Sequence, residues 1–365
     1  MTTTIDYTAR REKLLAQVEA DMVAIVPGAN MVYFTGLHYH LSERPTVGFL
    51  HKDGIAFVVP KLEVTKFHSR DDIEVQPFIW SDADGYEDAF KSAVDALDLN
   101  NKKLAVDGMT MRVFEWLAFA NAGASLDTAV DAGQQLLGLR AIKSQYEIDL
   151  MQAAVDISEK ALENTINWVE TGMTERQIAS KLSDELTAQG TEGNAFGPLV
   201  LTGEKSTLPH GNTGERPLGE NDFLLIDFGG KKGGYPADIT RTFCFGEPTM
   251  EMREIYEAVR HANEAAKAFA RPGVTCHEVD RVARDVIEKA GFGEYFTHRL
   301  GHGLGLEVHE LPNIAPNNDT VLEENMVFTI EPGIYLPNVG GVRIEDDVVV
   351  TADGIRSLTS FPRNM

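Results

Sequence analysis

Two stretches of this chain place acids inside apolar β-runs on either side of a glycine-containing turn. "FLLIDFGGKKGGYPADITRTFCF" (223–245) carries Asp227 in its first run and Asp238 in its second. "VFTIEPGIYLPNVGGVRIEDDVVV" (327–350) carries Glu331 and Glu345 in the same way. Paired residues of an antiparallel hairpin have a constant index sum. Asp227 and Asp238 are centred between residues 232 and 233, and Glu331 and Glu345 on Asn338, each inside its turn. The expectation is that each pair lies cross-strand on one face, with Cβ atoms about 5 Å apart. Like charges so placed in apolar strands repel and desolvate one another. Solvent-facing acids or a shared proton would each explain one such pair, but neither explains why the arrangement occurs twice. A pair of divalent cations does, because two ions a few ångströms apart need several carboxylates and hold an activated water between them.

A third stretch, "HRLGHGLGLEVHE" (298–310), crowds His298, His302 and His309 among three glycines, in a chain with 10 histidines in all. His302 is the natural nitrogen ligand for such ions, leaving His298 and His309 to contact substrate. The glycines let backbone pass close to a crowded site. Oxygen-rich ligation with one imidazole suits Mn²⁺, Co²⁺ or Fe²⁺, and Zn²⁺ is also acceptable.

These stretches must be held by a scaffold, and the rest of the chain outlines it. A 365-residue chain has ample core for one large or two ordinary domains. Its net charge of −23 repels phosphate backbones and anionic lipid, which argues against nucleic-acid and membrane partners. Cys244 and Cys276 form no Cys-x-x-Cys pair, and no apolar run of membrane-spanning length occurs. With no apolar signal core at the start, the expected location is the cytoplasm. Residues 1–135 read as an α/β domain: an apolar strand at 22–26, a hairpin over 47–59 turning at Asp53-Gly54, helices at 89–97 and 111–122, and a strand at 102–108. Residues 136–365 read as an α+β domain. Capping boxes at Ser144/Glu147, Thr174/Gln177 and Thr275/Glu278 open its helices, and the first of these has an apolar face of Ile148, Met151, Ala154 and Ile157.

The set Asp227, Asp238, His302, Glu331 and Glu345 resembles the five-ligand dinuclear site of the pita-bread (creatinase/aminopeptidase) metallopeptidases. The flanking words "DFGGKKGGYPADITRTF", "HRLGHGLGLEVHELP", "EPGIY" and "GGVRIED" fit too. The N-terminal domain and the tetrapeptide SERP (42–45) resemble the Xaa-Pro branch, prolidases and aminopeptidases P. That resemblance implies a pita-bread C-terminal domain and two divalent ions, Mn²⁺ foremost. It further implies cleavage of the Xaa-Pro bond of short proline-containing peptides, and a homodimer. Asp227 would chelate one ion, Asp238 and Glu345 would bridge both, and His302 and Glu331 would hold the other. Glu331 would also take a proton from water. His210, in "LPHGNTG", and His309 would bond the substrate and its oxyanion; both are expected to be buried, and buried imidazoles near cations are costly without a task. His298, Tyr335 and Arg343 would handle protons behind the metals, and Phe196 would line the substrate pocket.

Two rivals share the fold. A creatinase-like amidinohydrolase works without metal, and a non-catalytic pita-bread module binds proteins. Both imply an eroded ligand set, and here it is complete. The glycine pattern "GHGLG" lacks the strand and downstream acid of a dinucleotide loop. Substrate length turns on one position. Prolidases resembling this chain often carry an arginine four residues after the histidine matching His309, for the free carboxylate of a dipeptide. Here that position is Asn313. The expectation is tolerance of longer peptides, unless Arg44 of the N-terminal loop supplies the cation, from the same or a neighbouring subunit.

Overall fold

The computed structural model describes residues 5–68, 70 and 72–365. They form two compact units, 1–140 and 141–365. The boundary expected near 135 falls inside the helix Gly133–Ala141.

The N-terminal unit is built on a six-stranded mixed sheet. Its central strand Met22–Ile25 is buried throughout, as a continuous apolar run requires when both faces are covered. Val47, Phe49, Phe90 and Phe119 share its core, bringing the helices Glu87–Leu97 and Val113–Asn121 onto the sheet. The hairpin departs by one residue from expectation. His51 pairs with Gly54, so the turn is Lys52-Asp53 and Gly54 opens the returning strand at φ +150°. The glycine is needed there because a side chain is strained at that φ.

The C-terminal unit follows from two helix pairs and the strands between them. All three expected capping boxes form, opening the helices Gln145–Ile166, Glu175–Ala188 and Cys276–Lys289. The fourth long helix, Met250–Phe269, starts at Thr249, whose hydroxyl accepts from the Met252 amide. Successive residues of the strands Val327–Ile330 and Asp346–Val350 point into opposite cores. Val327 and Val349 pack with the first helix pair, while Phe328, Ile330, Val348 and Val350 pack with the second. Both faces of the sheet are therefore dry, which is why "VFTI" and "VVV" are apolar without alternation. These strands belong to a five-stranded sheet, beside a three-stranded sheet formed by Leu199–Thr202, Asp222–Phe228 and Ile239–Phe245. Helix pairs packed against antiparallel sheets give the α+β architecture expected of residues 136–365.

A buried charge locks the strand Asp346–Val350. The Arg241 guanidinium donates to Asp346 Oδ1 at 2.7 Å and to the carbonyls of Glu345, Thr240 and Phe361. Both partners of the ion pair are about 1% exposed. Without Arg241, Asp346 still pairs with Lys267 at 2.8 Å, but buried carbonyl acceptors lose their donor, at a cost of about 1–3 kcal/mol. Arg241→Met is therefore expected to lower the denaturant midpoint clearly. Arg176→Met, which breaks the exposed pair with Glu215, is expected to leave it unchanged. Equal shifts in urea titrations of the two variants would refute this account.

Candidate active site

A cavity of about 660 Å³ opens within the C-terminal unit. All the expected site residues line it except Asn313 and Arg44. Three hairpin-like turns bring them together, and their registers can be read one by one.

The Glu331/Glu345 register follows the expected index sum. Val327 pairs with Val349, Ile330 with Asp346, Gly333 with Arg343 and Leu336 with Gly340. Glu331 and Glu345 fall in the gap between these two ladders, and Asn338 sits at φ +64° in the turn. The Asp227/Asp238 register is displaced by two. Asp227 faces Thr240, because the turn closes on Gly233-Gly234 rather than one residue earlier. Both glycines have positive φ, +58° and +81°, the conformation a tight two-residue hairpin demands. A two-residue slip preserves the face, so Asp238 stays diagonal to Asp227 on the same side.

His302 lies in the short strand Gly301–Gly303, next to Glu310–Ile314 and Val327–Ile330. The neighbouring glycines serve the sheet. A Cβ on Gly301 would meet the Thr329 carbonyl oxygen at 1.9 Å, and one on Gly303 would meet that of Leu311 at 2.1 Å. They permit close approach of neighbouring strands.

The imidazole of His302 is oriented by its Nδ1, 3.1 Å from the Gly303 carbonyl oxygen. A carbonyl only accepts, so the proton is on Nδ1 and Nε2 carries a bare lone pair. That lone pair stands 3.3 Å from Glu331 Oε1 and 3.7 Å from Asp238 Oδ2. Burial, with His309 next in effect, drives the His302 pKa down to about 3, so protonation does not relieve the contact. The acids around it are strained in the other direction. Burial first, then Glu345 and Asp227, pushes the Asp238 carboxyl well above the usual range. Burial, then Glu331 and Asp227, does the same to Glu345. Glu331 is raised by burial to about 7, against the pull of Arg343.

A cluster of buried carboxylates facing a nitrogen lone pair is what a divalent cation relieves. Ligand atoms of Asp238, His302 and Glu345 lie within 4.8 Å of one another. Asp227 lines the cavity, and its Oδ1 is buried with no hydrogen-bond partner among the described residues. The donor set therefore fits divalent metal.

Around this cluster runs a chain of oriented donors. Arg343 Nη1 donates to Tyr335 Oη at 2.9 Å, and Tyr335 Oη lies 2.9 Å from His298 Nε2. His298 Nδ1 bonds the Arg299 carbonyl, which fixes its proton on Nδ1 and makes Nε2 the acceptor from Tyr335. Burial takes the His298 pKa down to about 4, so this ring is neutral. Arg343 also donates to Asp227 Oδ2 and Thr240 Oγ1. His210 and His309 line the cavity but remain solvent-exposed, contrary to the expected burial, because both sit on irregular connections. His309 packs edge-on to His302, with ring centroids 4.3 Å apart. Phe196, Leu199, Pro209 and Val308 give the cavity an apolar wall.

Two expected substrate contacts have other hydrogen-bond partners in this structure. Arg44 belongs to the N-terminal unit, where Asp82 and Glu43 take its guanidinium. Asn313 accepts a hydrogen bond from Arg299 instead of lining the cavity. Four residues that touch the site were not singled out from the sequence. Thr240 Oγ1 donates to Glu345 Oε2 at 2.6 Å, and Thr329 Oγ1 lies 3.3 Å from Glu331 Oε1. Asp347 accepts the Asp238 amide at 3.0 Å. Arg299 lines the cavity from inside the histidine-rich stretch. The threonines follow the strand period of two that places them on the face of the acids, which is the one signal that was available for them.

This fold and donor set define a metallopeptidase. The chain belongs to metallopeptidase family M24, whose model matches residues 149–352, and a creatinase/prolidase N-terminal domain matches residues 9–142. It is 38% identical to the putative dipeptidase YkvY of Bacillus subtilis over 92% of each chain. Among solved structures it resembles a prolidase from Thermococcus sibiricus, with TM-score 0.92, 32% identity and 99% of both chains covered. It also resembles an X-Pro aminopeptidase from Thermotoga maritima, with TM-score 0.87, 33% identity and 99% of both chains covered.

Proposed function

We propose that this protein hydrolyses the Xaa-Pro bond of short peptides, with two divalent ions, Mn²⁺ foremost, held by Asp227, Asp238, His302, Glu331 and Glu345. The observation that carries this reading is the deprotonated Nε2 of His302 facing two buried carboxylates, in a cavity of a chain from a metallopeptidase family. What such ions supply is Lewis acidity and an activated water at neutral pH.

The chain's own residues do the rest. Glu331, steadied by the Thr329 hydroxyl, takes a proton from the attacking water. His210 and His309, solvent-exposed on the cavity wall, donate to the carbonyl oxygen as it gains negative charge. Tyr335 is held between Arg343 and His298, and this chain orients the proton that must reach the departing proline nitrogen. Phe196, Leu199, Pro209 and Val308 accept the pyrrolidine ring, an apolar ligand with no N–H to satisfy. The similar proteins include both a prolidase and an X-Pro aminopeptidase, so likeness alone does not choose substrate length.

Elemental analysis of the purified protein, with hydrolysis assays on Xaa-Pro, Xaa-Pro-Yaa and Xaa-Ala peptides, tests the reading. Two equivalents of divalent metal and cleavage confined to the proline-containing peptides are expected. Cleavage of Xaa-Ala at equal rate would refute the proline preference. A cytoplasmic homodimer completes the proposal, checked by fractionation and by light scattering. Among the described residues no helix is long and apolar enough to cross a membrane.

A further inference from the structure

The buried face of the helix Met250–Phe269 carries an asparagine among its apolar residues. Ile255, Val259, Ala262 and Ala266 pack into the core of the second helix pair, and Asn263 lies among them fully buried. Asparagine is a poor helix former, and its amide is costly to bury unless it is bonded. Its partners account for its presence. Nδ2 donates to the Ile330 carbonyl at 3.0 Å and to the Ile344 carbonyl at 3.4 Å, while Oδ1 accepts from Arg363 Nη1 at 2.8 Å. Carbonyls only accept and a guanidinium only donates, so these partners fix which way the amide faces.

Ile330 and Ile344 immediately precede Glu331 and Glu345. The ladder between their strands is interrupted here. The Ile344 amide donates to the Pro332 carbonyl at 3.4 Å, and Pro332 has no N–H to return. The amides of the two glutamates turn to other strands, Glu331 to the Leu300 carbonyl at 2.8 Å and Glu345 to that of Thr240 at 3.1 Å. One side-chain amide therefore ties the two strands together where backbone pairing between them lapses. Arg363 reaches it from a segment that is itself held, since Arg241 donates to the carbonyls of Phe361 and Pro362.

We propose that Asn263, oriented by Arg363, is a positioning residue that sets the spacing of Glu331 and Glu345 and, through it, the affinity of the site for divalent metal. The proposal rests on the metal reading above and extends it to residues outside the cavity wall. A carboxylate side chain reaches only as far as its backbone allows, so a bond that fixes both backbones fixes the distance between both ligands. Partners of this kind, one bond removed from the ligands, typically carry about 10–100-fold in metal affinity or activity. Asn263 bonds neither glutamate carboxylate and does not line the cavity, so its loss should appear in metal affinity and kcat, with KM for the peptide little changed.

The test titrates Mn²⁺ into chelator-stripped protein by calorimetry and measures kcat and KM for Ala-Pro on the same preparations. Asn263→Leu keeps the volume and removes the donors; it is expected to weaken Mn²⁺ binding and lower kcat by about 10–100-fold each. Arg363→Met leaves the amide in place but frees it to turn, and should give a smaller loss of the same kind. Val259→Ala, one turn earlier on the same buried face, leaves a cavity and lowers the urea midpoint. It touches no strand carbonyl through a hydrogen bond, so its Mn²⁺ affinity should match the native protein. If Asn263→Leu does not fold, Asn263→Ser and Arg363→Met carry the comparison. Native affinity in the Asn263 and Arg363 variants, or an equal loss in Val259→Ala, overturns the proposal and leaves the Xaa-Pro reading standing. Native protein that binds no divalent metal overturns the metal reading, and this proposal with it.

Discussion

Glu345→Gln is expected to lower kcat/KM by about 1,000-fold or more, which corresponds to roughly 4 kcal/mol of lost transition-state stabilisation. His298→Ala is expected to lower it by only about 10–100-fold, the usual loss for a group that orients its neighbours. The two residues line the same cavity, yet their positions differ in kind. Glu345 lies among the clustered acids, with its amide bonded to the Thr240 carbonyl and its Oε2 bonded by the Thr240 hydroxyl. Its backbone and one oxygen are therefore already set, and glutamine changes the charge with little change of shape. Losing that charge would weaken the field of the proposed metal site. The same substitution removes repulsion with Glu331 and Asp227, so the metal-free variant should unfold at a higher temperature than metal-free native protein. His298 reaches the cavity through Tyr335 and is neutral, so alanine there frees a hydroxyl without altering the charge of the cluster. Steady-state kinetics with metal content measured on the same samples checks the ranking. If His298→Ala proves the more damaging variant, the division of labour is wrong.

How far the sequence could be read depended on whether a local rule or a tertiary contact decided each feature. Ser144 with Glu147, and Thr275 with Glu278, fixed helix starts because a capping box is closed within four residues. Glu331 and Glu345 were placed correctly because one index sum runs through both flanking ladders. Asp227 and Asp238 were misplaced by two because "GGKKGG" offers more than one turn centre, and only the pairing of Lys232 with Tyr235 selects Gly233-Gly234. The slip was harmless to the site because strand faces repeat every two residues. Arg299 went unnoticed for a different reason. Its orientation depends on Asn313, fourteen residues away across a sheet. The exposure of His210 and His309 was likewise illegible, since loop residues carry no periodicity from which burial can be read.

Removing metal with a chelator is expected to abolish hydrolysis, with Mn²⁺ or Co²⁺ restoring it, and also to invert the response of stability to pH. In the metal-free protein the Glu331 carboxyl is raised from an ordinary 4.5 to about 7, and Asp238 and Glu345 are raised as well. Well below the ordinary Asp and Glu values of 3.8 and 4.5, these groups hold protons in both the folded and the unfolded chain. As pH rises past that point the unfolded chain releases its protons first, while in the fold Glu331 keeps its proton until about 7 and Asp238 and Glu345 keep theirs well above the usual carboxylate range. Stability must therefore fall across that window, since the folded state binds more protons than the unfolded one. Bound metal reverses the sign. It holds the carboxylates ionised in the folded state, competes with protons for them, and binds more tightly as pH rises. The gap in unfolding temperature between metal-loaded and chelated protein should therefore widen from pH 5 to pH 8. Calorimetric scans of both forms at these two pH values measure it without reference to any substrate. A gap that stays constant, or narrows with rising pH, would mean that the buried carboxylates are satisfied by something other than metal.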